Sequence, residues 1–372
     1  MMVLVGAGSM ACTALAQPAR NTDGFLVADA PREWSFPEDF GRHPGYQIEW
    51  WYYTGNLVSE DGREFGYQLT FFRNELAPGD HAAELMNEVD GTHVSPWRGG
   101  EYHFAHFAIS DITSETFFHA DVGTRGHPSF ASAADDTLDV HLLGWRTFLD
   151  EHGDIRLIAE RDGHAIDLTA TIVNGPILHG PGGVSPKGDE FGQASYYHSI
   201  TRLATSGTVT THGEAHEVSG LSWMDQEFSS NQLSDDQTGW DWFALHLDDG
   251  RDVMIYRLRD TAGGTDYAFA TIVPSPGEPA RFTTDEVSFE PGGTWTSPDT
   301  GGAYPREWTL TVGDHLTVVV RSRFDGQEVR SENTGDVNYL EAAVEVLNVE
   351  GVRLGTGYME LTGYDKPLNE RL

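Results

Sequence analysis

Six stretches of this chain alternate apolar and polar residues, or carry short β-branched and aromatic runs, over the length of a β-strand or a hairpin. They are "EFGYQLTFFRNEL", "EYHFAHFAISDI", "AIDLTATIVNG", "GWDWFALHLDDGRDVMIYRLRD", "DHLTVVVRSRF" and "YLEAAVEVLNVEGVRLGTGYMELTGY". A period of two places side chains on opposite faces of a sheet. Asp-Gly or Glu-Gly pairs fall between such runs at residues 61–62, 162–163, 249–250 and 350–351, where tight hairpins need them. The pattern predicts an all-β, antiparallel and mostly up-and-down architecture.

Residues 45–57, "GYQIEWWYYTGNL", place a glutamate beside four consecutive aromatic rings. One face of a strand takes only every second ring. We therefore expect one face of this strand to pack inside its own barrel and the other to meet a second domain or a ligand.

The length of 372 residues is sufficient for two packed domains. The segments "IEWWYYTGNLVSEDGREFGYQLTFFR" and "WDWFALHLDDGRDVMIYRLR" both give an aromatic-rich strand, an acidic-glycine turn and a strand that ends in arginine. This echo predicts two barrel-like units related by duplication. We place the first domain at residues 30–208 and the second at residues 209–372.

The N-terminal residues "MMVLVGAGSMACTALAQPAR" combine an apolar run with a small-x-small site. They predict an export signal at residues 1–16, cleaved after Ala16, and hence a periplasmic or extracellular protein. A nucleotide-binding loop at residues 6–11 is the alternative, but Pro18 follows too soon for the helix that this motif requires. Cys12 is the only cysteine, so the mature chain has no disulfide, and a lipid anchor at Cys12 is the weaker alternative to cleavage. No later apolar run reaches about eighteen residues, so we expect no transmembrane span.

The chain carries 23 basic and 58 acidic residues, a formal net charge of -35. A surface this acidic repels phosphate backbones and anionic lipid, so we expect no nucleic-acid partner. Acidic pairs at residues 135–136, 235–236 and 248–249 fall at predicted turns. They are typical of a solvated anionic shell, and a halophilic, high-salt habitat is one cause of such a shell.

Six motifs, in this order along the chain, resemble the carotenoid 1,2-hydratase family, also called AttH/CrtC-like proteins or predicted secreted hydrolases. They are "FPEDFGRHPGYQIEWWYYTGNL", "FAHFAISD", "SYYHSITRL", "VSGLSWMDQEF", "GWDWFALHLDDGRDVMIYRLR" and "GYMELTGY". The resemblance spans Phe36 to Tyr364 and implies two lipocalin-like antiparallel β-barrel domains packed together. It also implies a central apolar cavity near the "EWWYY" strand and the "SWMDQEF" segment.

The same resemblance implies a reaction class, which is the addition of water to an isolated alkene of a carotenoid or a prenylated compound. It implies an apolar lipid or terpenoid ligand, and a functional link to ABC-type export components. We expect no cofactor. The family commonly has Trp-Met-Asp-His-Glu where this chain has Gln226, so any proton transfer by that histidine is lost here.

The chemistry of alkene hydration indicates which residues to consider as acids. The reaction needs a carboxylic acid that stays protonated, and burial in an apolar pocket raises the pKa of Asp or Glu in that direction. The carbocation that follows is stabilised by ring faces, each worth about 2 kcal/mol when desolvated. Asp225 and Glu227 share a strand face with Trp223, and Glu49 is adjacent to Trp50. These three carboxylates are the predicted catalytic residues.

The predicted ligand-binding residues are aromatic or imidazole side chains of the same motifs. They are Trp50, Trp51, Tyr53, His106, Tyr196, Tyr197, His198, Trp223, Trp240, Trp242 and Tyr256. Alternation places Trp240 and Trp242 on one face of their strand and Asp241 on the other. Two structural readings stay open: the rings pack a core without any ligand, and Asp225 and Glu227 anchor Arg257 or Arg259.

Other motifs carry less weight. "HGEAH" at residues 212–216 has its glutamate one place too late for a zinc-protease helix, so we expect no metal site. Ser222 is followed by Trp223 and Met224 and lacks the glycine-bounded turn of a serine hydrolase. Three functions remain open: an exported lyase or isomerase acting on an apolar unsaturated molecule, a non-catalytic carrier of such a molecule, and a hydrolase whose nucleophile is not evident.

Overall fold

The computed structural model describes residues 19–78, 100–230, 233–275, 277–331, 335 and 337–368. The predicted export signal at residues 1–16, with Cys12, lies outside these ranges. Short 3-10 turns occur at Glu38–Phe40, Pro181–Gly183 and Thr284–Glu286. The strands are β1 Ile48–Ser59, β2 Glu64–Glu75, β3 Glu101–Asp111, β4 Thr116–Arg125, β5 Ala131–Ala133, β6 Asp139–Leu142, β7 Trp145–Leu149, β8 Ile155–Arg161, β9 His164–Ile172, β10 Ile177–Leu178, β11 Val184–Pro186, β12 Ala194–Thr211, β13 Glu214–Ser229, β14 Gln237–Leu247, β15 Asp252–Asp260, β16 Thr265–Val273, β17 Ala280–Thr283, β18 Val287–Thr296, β19 Ala303–Val312, β20 Leu316–Ser322, β21 Glu328–Arg330, β22 Asn338–Leu347 and β23 Arg353–Thr362.

Two antiparallel sheets contain all of these strands. The first sheet runs in the order β4-β3-β2-β1-β13-β12-β9-β8-β7-β6-β5, with β10 and β11 paired to β12. The second runs in the order β17-β16-β15-β14-β23-β22-β20-β19-β18, with β21 paired to β22. Most neighbours are hairpin partners, and each sheet curls into a barrel shape. This confirms the predicted all-β class with two lipocalin-like antiparallel barrels.

Alternation along the strands sorts the side chains into three apolar layers. Trp51, Tyr53 and Met224 face the interior of the first barrel. Phe243 and Trp308 face the interior of the second. A third layer lies between the barrels and contains Tyr52, Tyr197, Trp223, Trp242 and Tyr256. The aromatic stretch of β1 therefore has the two packed faces that its sequence predicts, one inside the barrel and one against the second sheet.

The two sheets approach closely at Gly66 on β2. A Cβ at this position would lie 2.9 Å from Cβ of Ala343 and 3.1 Å from the hydroxyl of Tyr358, both on the second sheet. Polar side chains also join the sheets: Asn56 donates to the carbonyl of Gly357 at 3.0 Å. Side chains from both sheets thus fill this part of the interface.

The chain passes from the first sheet to the second later than the predicted domain boundary, which lies between residues 208 and 209. That boundary falls within β12, and the hairpin formed by β12 and β13 belongs wholly to the first sheet. The reason is that β13 pairs on its other side with β1, from Ile48↔Ser229 to Ser59↔Val218. The first sheet therefore runs to Ser229, and the second begins at Gln237.

In the part of the chain that the structure describes, no helix is long and apolar enough to cross a membrane.

Candidate active site

Two cross-strand rows on the first sheet carry the main candidate residues. One row aligns Ser199 on β12 with Asp225 on β13 and Tyr52 on β1. The next aligns Tyr197, Glu227 and Trp50 on the same three strands. Residues directly opposite in antiparallel strands present their side chains on the same face. Both rows belong to the face that meets the second sheet.

A matching row on the second sheet lies across from them. It aligns Tyr256 on β15, Trp242 on β14, Glu360 on β23 and Glu341 on β22. Trp242 joins the two sheets, because its indole Nε1–H donates to the hydroxyl of Tyr197 at 3.0 Å. Its ring also meets Tyr52 edge-on at a centroid distance of 5.1 Å. Four carboxyl groups and five aromatic side chains thus converge on one layer.

Of the two first-sheet carboxyl groups in this layer, Asp225 is the more enclosed, with 4% of its surface exposed. Its Oδ2 accepts the hydroxyl of Tyr197 at 2.6 Å. Its Oδ1 accepts the indole Nε1–H of Trp223 at 2.6 Å and the hydroxyl of Ser199. Burial raises the pKa of Asp225 to about 7, although the three donors act in the opposite direction. Near neutral pH this carboxyl therefore carries a proton in a substantial fraction of molecules.

Hydroxyl partners allow Asp225 to hold a proton without losing its hydrogen bonds. Ser199 Oγ lies 2.6 Å from Nε2 of His179, and Nδ1 of His179 lies 3.0 Å from the hydroxyl of Thr271. Burial lowers the pKa of His179 well below its ordinary value, so the ring is neutral and has one accepting nitrogen. Ser199 can consequently donate to ionised Asp225, or accept from the protonated acid while donating to His179.

We expect Ser199→Ala to raise the pKa of Asp225 further, because this change removes a donor that stabilises the carboxylate. The carbonyl stretch of the protonated acid, followed by infrared difference spectroscopy during a pH titration, should persist to higher pH than in the wild type. Ser195→Ala is the matched control, since Ser195 donates to Glu227 in the adjoining row. An unchanged titration in Ser199→Ala would contradict this hydrogen-bond assignment.

Glu227 has different surroundings, although it is only two residues away. Its Oε1 lies 2.9 Å from the ammonium of Lys187, and the same oxygen accepts the hydroxyl of Ser195. Burial acts to lower the pKa of Lys187, but Glu227 and Tyr256 hold it above its ordinary value. The lysine is therefore a cation, and it also lies 4.2 Å from the centre of the Tyr256 ring. Glu227 therefore has a cationic partner, whereas Asp225 has only neutral ones.

The second sheet supplies two carboxyl groups that were not among the sequence-predicted residues, Glu341 and Glu360. Glu341 is fully buried; its Oε2 accepts the hydroxyl of Tyr52 at 3.1 Å, and its Oε1 has no hydrogen-bond partner. Burial raises its pKa well above the ordinary value, and the charge of Glu360 acts in the same direction. Burial likewise raises the pKa of Glu360 to about 8, with smaller contributions from Asp225 and Glu227. In the sequence, each of these glutamates stands between small or apolar neighbours in a strand that buries both of its faces. This is the signal by which they could have been found.

One edge of this layer is accessible to solvent. Trp50, Trp240, Leu233 and Tyr267 are half-buried there, and Glu360 is half-buried as well. Glu227 pairs with Trp50 at this edge. Asp225 precedes Glu227 by two residues on β13, so Asp225 lies about 7 Å deeper in the layer. Glu227 and Glu360 thus lie nearer this edge than Asp225 does.

Several predicted residues lie on the opposite faces of their strands, away from Asp225. Trp51 and Tyr53 are in the interior of the first barrel, where the indole of Trp51 donates to the carbonyl of Phe40 at 3.0 Å. Tyr196 packs with Phe228 in a separate cluster. These side chains pack the barrel and its end, because alternation turns every second ring of each motif away from the interface.

The two predicted histidines also lie away from Asp225. His198 sits among the rings of Trp34, Phe36 and Phe40, and neither of its nitrogens has a hydrogen-bond partner. Burial lowers its pKa to about 3. His106 faces the second sheet, with Nδ1 2.5 Å from the hydroxyl of Tyr339, but β3 is three strands from β13. Three strand spacings amount to about 14 Å.

Glu49 belongs to an ion network at the end of the first barrel. Its Oε1 lies 2.7 Å from Nδ1 of His43 and accepts the side-chain amide of Gln226 at 3.0 Å. Burial opposes a charge on His43, but Glu49 and Asp39 hold the pKa of His43 above its ordinary value. Gln226 therefore also points away from Asp225, and the residue that replaces the family's histidine is not in contact with the candidate acid.

The two arginines that the sequence offered as partners of Asp225 and Glu227 pair with a different residue. Nε of Arg257 donates to Oδ2 of Asp241 at 2.6 Å, and Nη1 of Arg259 donates to Oδ1 of the same residue. Asp241 faces the interior of the second barrel, as its alternation with Trp240 and Trp242 predicts. Among the described residues, no group of three or more histidine, cysteine or acidic side chains is arranged to hold a metal ion.

Comparison with known proteins matches residues 27–364 to the model of the AttH-like family. Among solved structures, the chain is similar to a provisional AttH protein from Nitrosomonas europaea, with 33% identity, a TM-score of 0.80, and coverage of 90% of this chain and 99% of that one. Its fold is also similar to that of kievitone hydratase from Nectria haematococca, with 16% identity, a TM-score of 0.68, and coverage of 94% of this chain and 99% of that one. No curated protein sequence matches the chain.

Proposed function

Because the chain belongs to the AttH-like family, we propose that it binds an apolar unsaturated molecule between its two barrels and adds water to an isolated carbon–carbon double bond. The observation that carries this proposal is Asp225, a buried carboxyl with a pKa near 7 that is surrounded by Trp223, Trp242 and Tyr197. A buried acid beside ring faces is what protonation of an alkene requires. The predicted signal at residues 1–16 supports an exported site of action, which we include in the proposal.

The two carboxyl groups of β13 take separate roles in this reaction. Asp225 transfers its proton to one alkene carbon, and the positive charge develops on the other carbon near the faces of Trp223 and Trp242. A water molecule attacks that carbon and loses a proton to the Glu227 carboxylate, which lies 2.9 Å from the ammonium of Lys187. Proton return through solvent then restores Asp225, so the net change is the addition of one water.

The distinction between the two carboxyl groups follows from their partners. Asp225 has only neutral partners, whereas Glu227 has a cation 2.9 Å away. Environments that separate the protonation states of two nearby carboxyls are typical of acid–base pairs in enzymes. Glu360 lies at the accessible edge, where we place it as the polar group nearest the entering ligand.

The deciding experiment uses the purified chain with an extracted pool of lipids and terpenoids, in heavy-oxygen water and, separately, in deuterium oxide. Mass spectrometry should find products that gain one water, with the heavy oxygen on carbon in the first case and one deuterium on the neighbouring carbon in the second. A product labelled in the oxygen but with no new carbon–deuterium bond would indicate hydrolysis. It would therefore contradict the proposal.

A carrier without chemistry is the second candidate, and one observation favours it. Asp225 already receives three hydrogen bonds, and Glu227 is already paired, so both could be structural. Co-purified ligand that is retained without any water-adduct product, in both wild type and Asp225→Asn, would favour the carrier over the enzyme.

The rate of hydration should fall as the pH rises through about 7. The reason is that the acid form of Asp225 is required and its pKa lies near 7. Well above that pH, kcat/KM should decrease about tenfold for each pH unit. The profile is measured on a single product identified in the labelling experiment, with protein stability checked at each pH. An activity that instead increases through pH 7 would assign Asp225 the role of a base.

A further inference from the structure

The open end of the second barrel holds a cavity of about 450 Å³. It lies on the interior side of β14 and β15, whereas Asp225 faces the layer between the barrels. Arg257, Arg259, Trp308 and Tyr364 are among its lining residues. Cavities of this size hold small organic ligands.

Two buried arginines share one carboxylate at this end of the barrel. Arg257 and Arg259 are 7% and 5% exposed, and both donate to Asp241, which is fully buried. Tyr364 adds a neutral donor to the same carboxylate at 2.9 Å. The buried cluster therefore has two positive charges and one negative charge. Asp260 also lines the cavity, but its Oδ1 accepts backbone N–H groups of its own turn, from residues 262 and 264, at 2.8 Å.

Trp308 provides a second and independent feature of this cavity. Its side chain is fully buried, and its indole Nε1–H has no hydrogen-bond partner. A buried donor without an acceptor is costly, and native proteins rarely leave one in place. The guanidinium of Arg257 lies 5.0 Å from the centre of the same indole ring. An unsatisfied donor and a buried cation thus lie side by side among the residues that line this cavity.

We propose that this cavity binds a small organic carboxylate. One carboxylate oxygen accepts the Nε1–H of Trp308, and the anion lies against Arg257, whose guanidinium has more N–H groups than its bonds to Asp241 and Thr265 use. The apolar part of the ligand packs against Pro291 and Pro305, which also line the cavity. The site is separate from the proposed hydration site.

The test uses octanoate as the probe and 1-octanol as its neutral match. Calorimetric titration of the full chain should show that octanoate binds at least about tenfold more tightly than octanol, the range expected for hydrogen bonds to a charged group. In a nitrogen–proton correlation NMR spectrum of the full chain, one tryptophan indole N–H resonance should shift on addition of octanoate. That resonance should be missing from Trp308→Phe, which keeps an aromatic ring but has no N–H group.

Variants separate this site from general apolar binding. Trp308→Phe should weaken octanoate binding about tenfold, and Arg257→Lys should weaken it while retaining the charge beside Asp241. Trp145→Phe in the first barrel is the matched control and should bind octanoate as the wild type does. Equal affinity for octanoate and octanol, or no shift of any indole resonance in the wild type, would overturn the proposal. Because the wild-type spectrum alone can give the second result, the test does not depend on the folding of a variant.

Discussion

Asp225→Asn should lower the rate of water addition by about 10²–10⁴-fold, the contribution typical of a positioned general acid. The asparagine side chain has nearly the same shape, but it has no proton acidic enough for an alkene. Its amide can still take part in hydrogen bonds with Tyr197 and Ser199, because hydroxyl groups donate and accept. Ligand affinity should therefore change much less than the rate.

The measurement compares product formation under single-turnover conditions with ligand binding by tryptophan fluorescence. Asp111→Asn is a suitable control because Asp111 is also a buried aspartate, paired with Arg63 at 2.6 Å near the far end of β3. It should retain the wild-type rate. If Asp225→Asn retained it as well, another group would have to be the acid, and Glu360 would be the first to examine.

Compared with Asp225→Asn, Glu227→Gln should have a smaller effect on protonation of the alkene and a larger effect on the capture of water by the carbocation. In the proposed reaction, loss of this carboxylate leaves the cation without a base for the attacking water. The cation then loses a proton from carbon to the Asp225 carboxylate, which returns the alkene or shifts the position of its double bond. Products with a displaced double bond, found in Glu227→Gln and absent from Asp225→Asn, would support separate roles for the two residues.

The fold and one side of the site follow directly from the sequence. A period of two in the apolar pattern predicts the strands, and Asp-Gly pairs predict their turns. The same rule correctly separates Asp241 from Trp240 and Trp242. Applied to Glu49, it would have separated this residue from Trp50 in the same way, because adjacent residues of a strand face opposite sides. Proximity in sequence was therefore a poor guide to proximity at the interface.

Long-range pairing accounts for what the sequence could not provide. The first sheet extends past the predicted domain boundary because the pairing of β1 with β13 joins residues far apart in the chain, and hairpin signals do not encode it. Glu341 and Glu360 were missed for a related reason. They lie directly opposite each other on β22 and β23, and they reach the site only because the second sheet packs on the first. Their apolar neighbours indicate burial, but only the tertiary arrangement places these glutamates opposite Asp225 and Glu227.

The largest effect on stability should come from Arg73→Met in the first barrel. Arg73 is fully buried; its Nε and Nη2 donate to Glu101 and Glu75, each at 2.6 Å, and Nη1 lies 3.8 Å from Glu49. Removing this guanidinium takes away the cation that donates to both Glu75 and Glu101. Loss of one partner from a buried ion pair typically costs 3–5 kcal/mol, so we expect the free energy of unfolding in urea to fall by about that amount.

The pH dependence of this loss provides an internal check. Burial opposes the ionised form of Glu101, but His103, Arg73 and Arg42 hold its pKa well below the ordinary value. The stability that comes from Glu101 is therefore present above its ordinary pKa and is lost as the pH falls toward the lowered one. In Arg73→Met the carboxylates that have lost this guanidinium take up protons more readily, so the difference between the unfolding free energies of variant and wild type should narrow between about pH 7 and about pH 4.5. Arg146→Met is the matched control: its partner Asp139 is 2.8 Å away and both side chains are exposed, so the loss should not exceed about 1 kcal/mol. Equal losses in the two variants would mean that the network around Arg73 does not stabilise the barrel, and that Glu49, Glu75 and Glu101 are held by their other contacts.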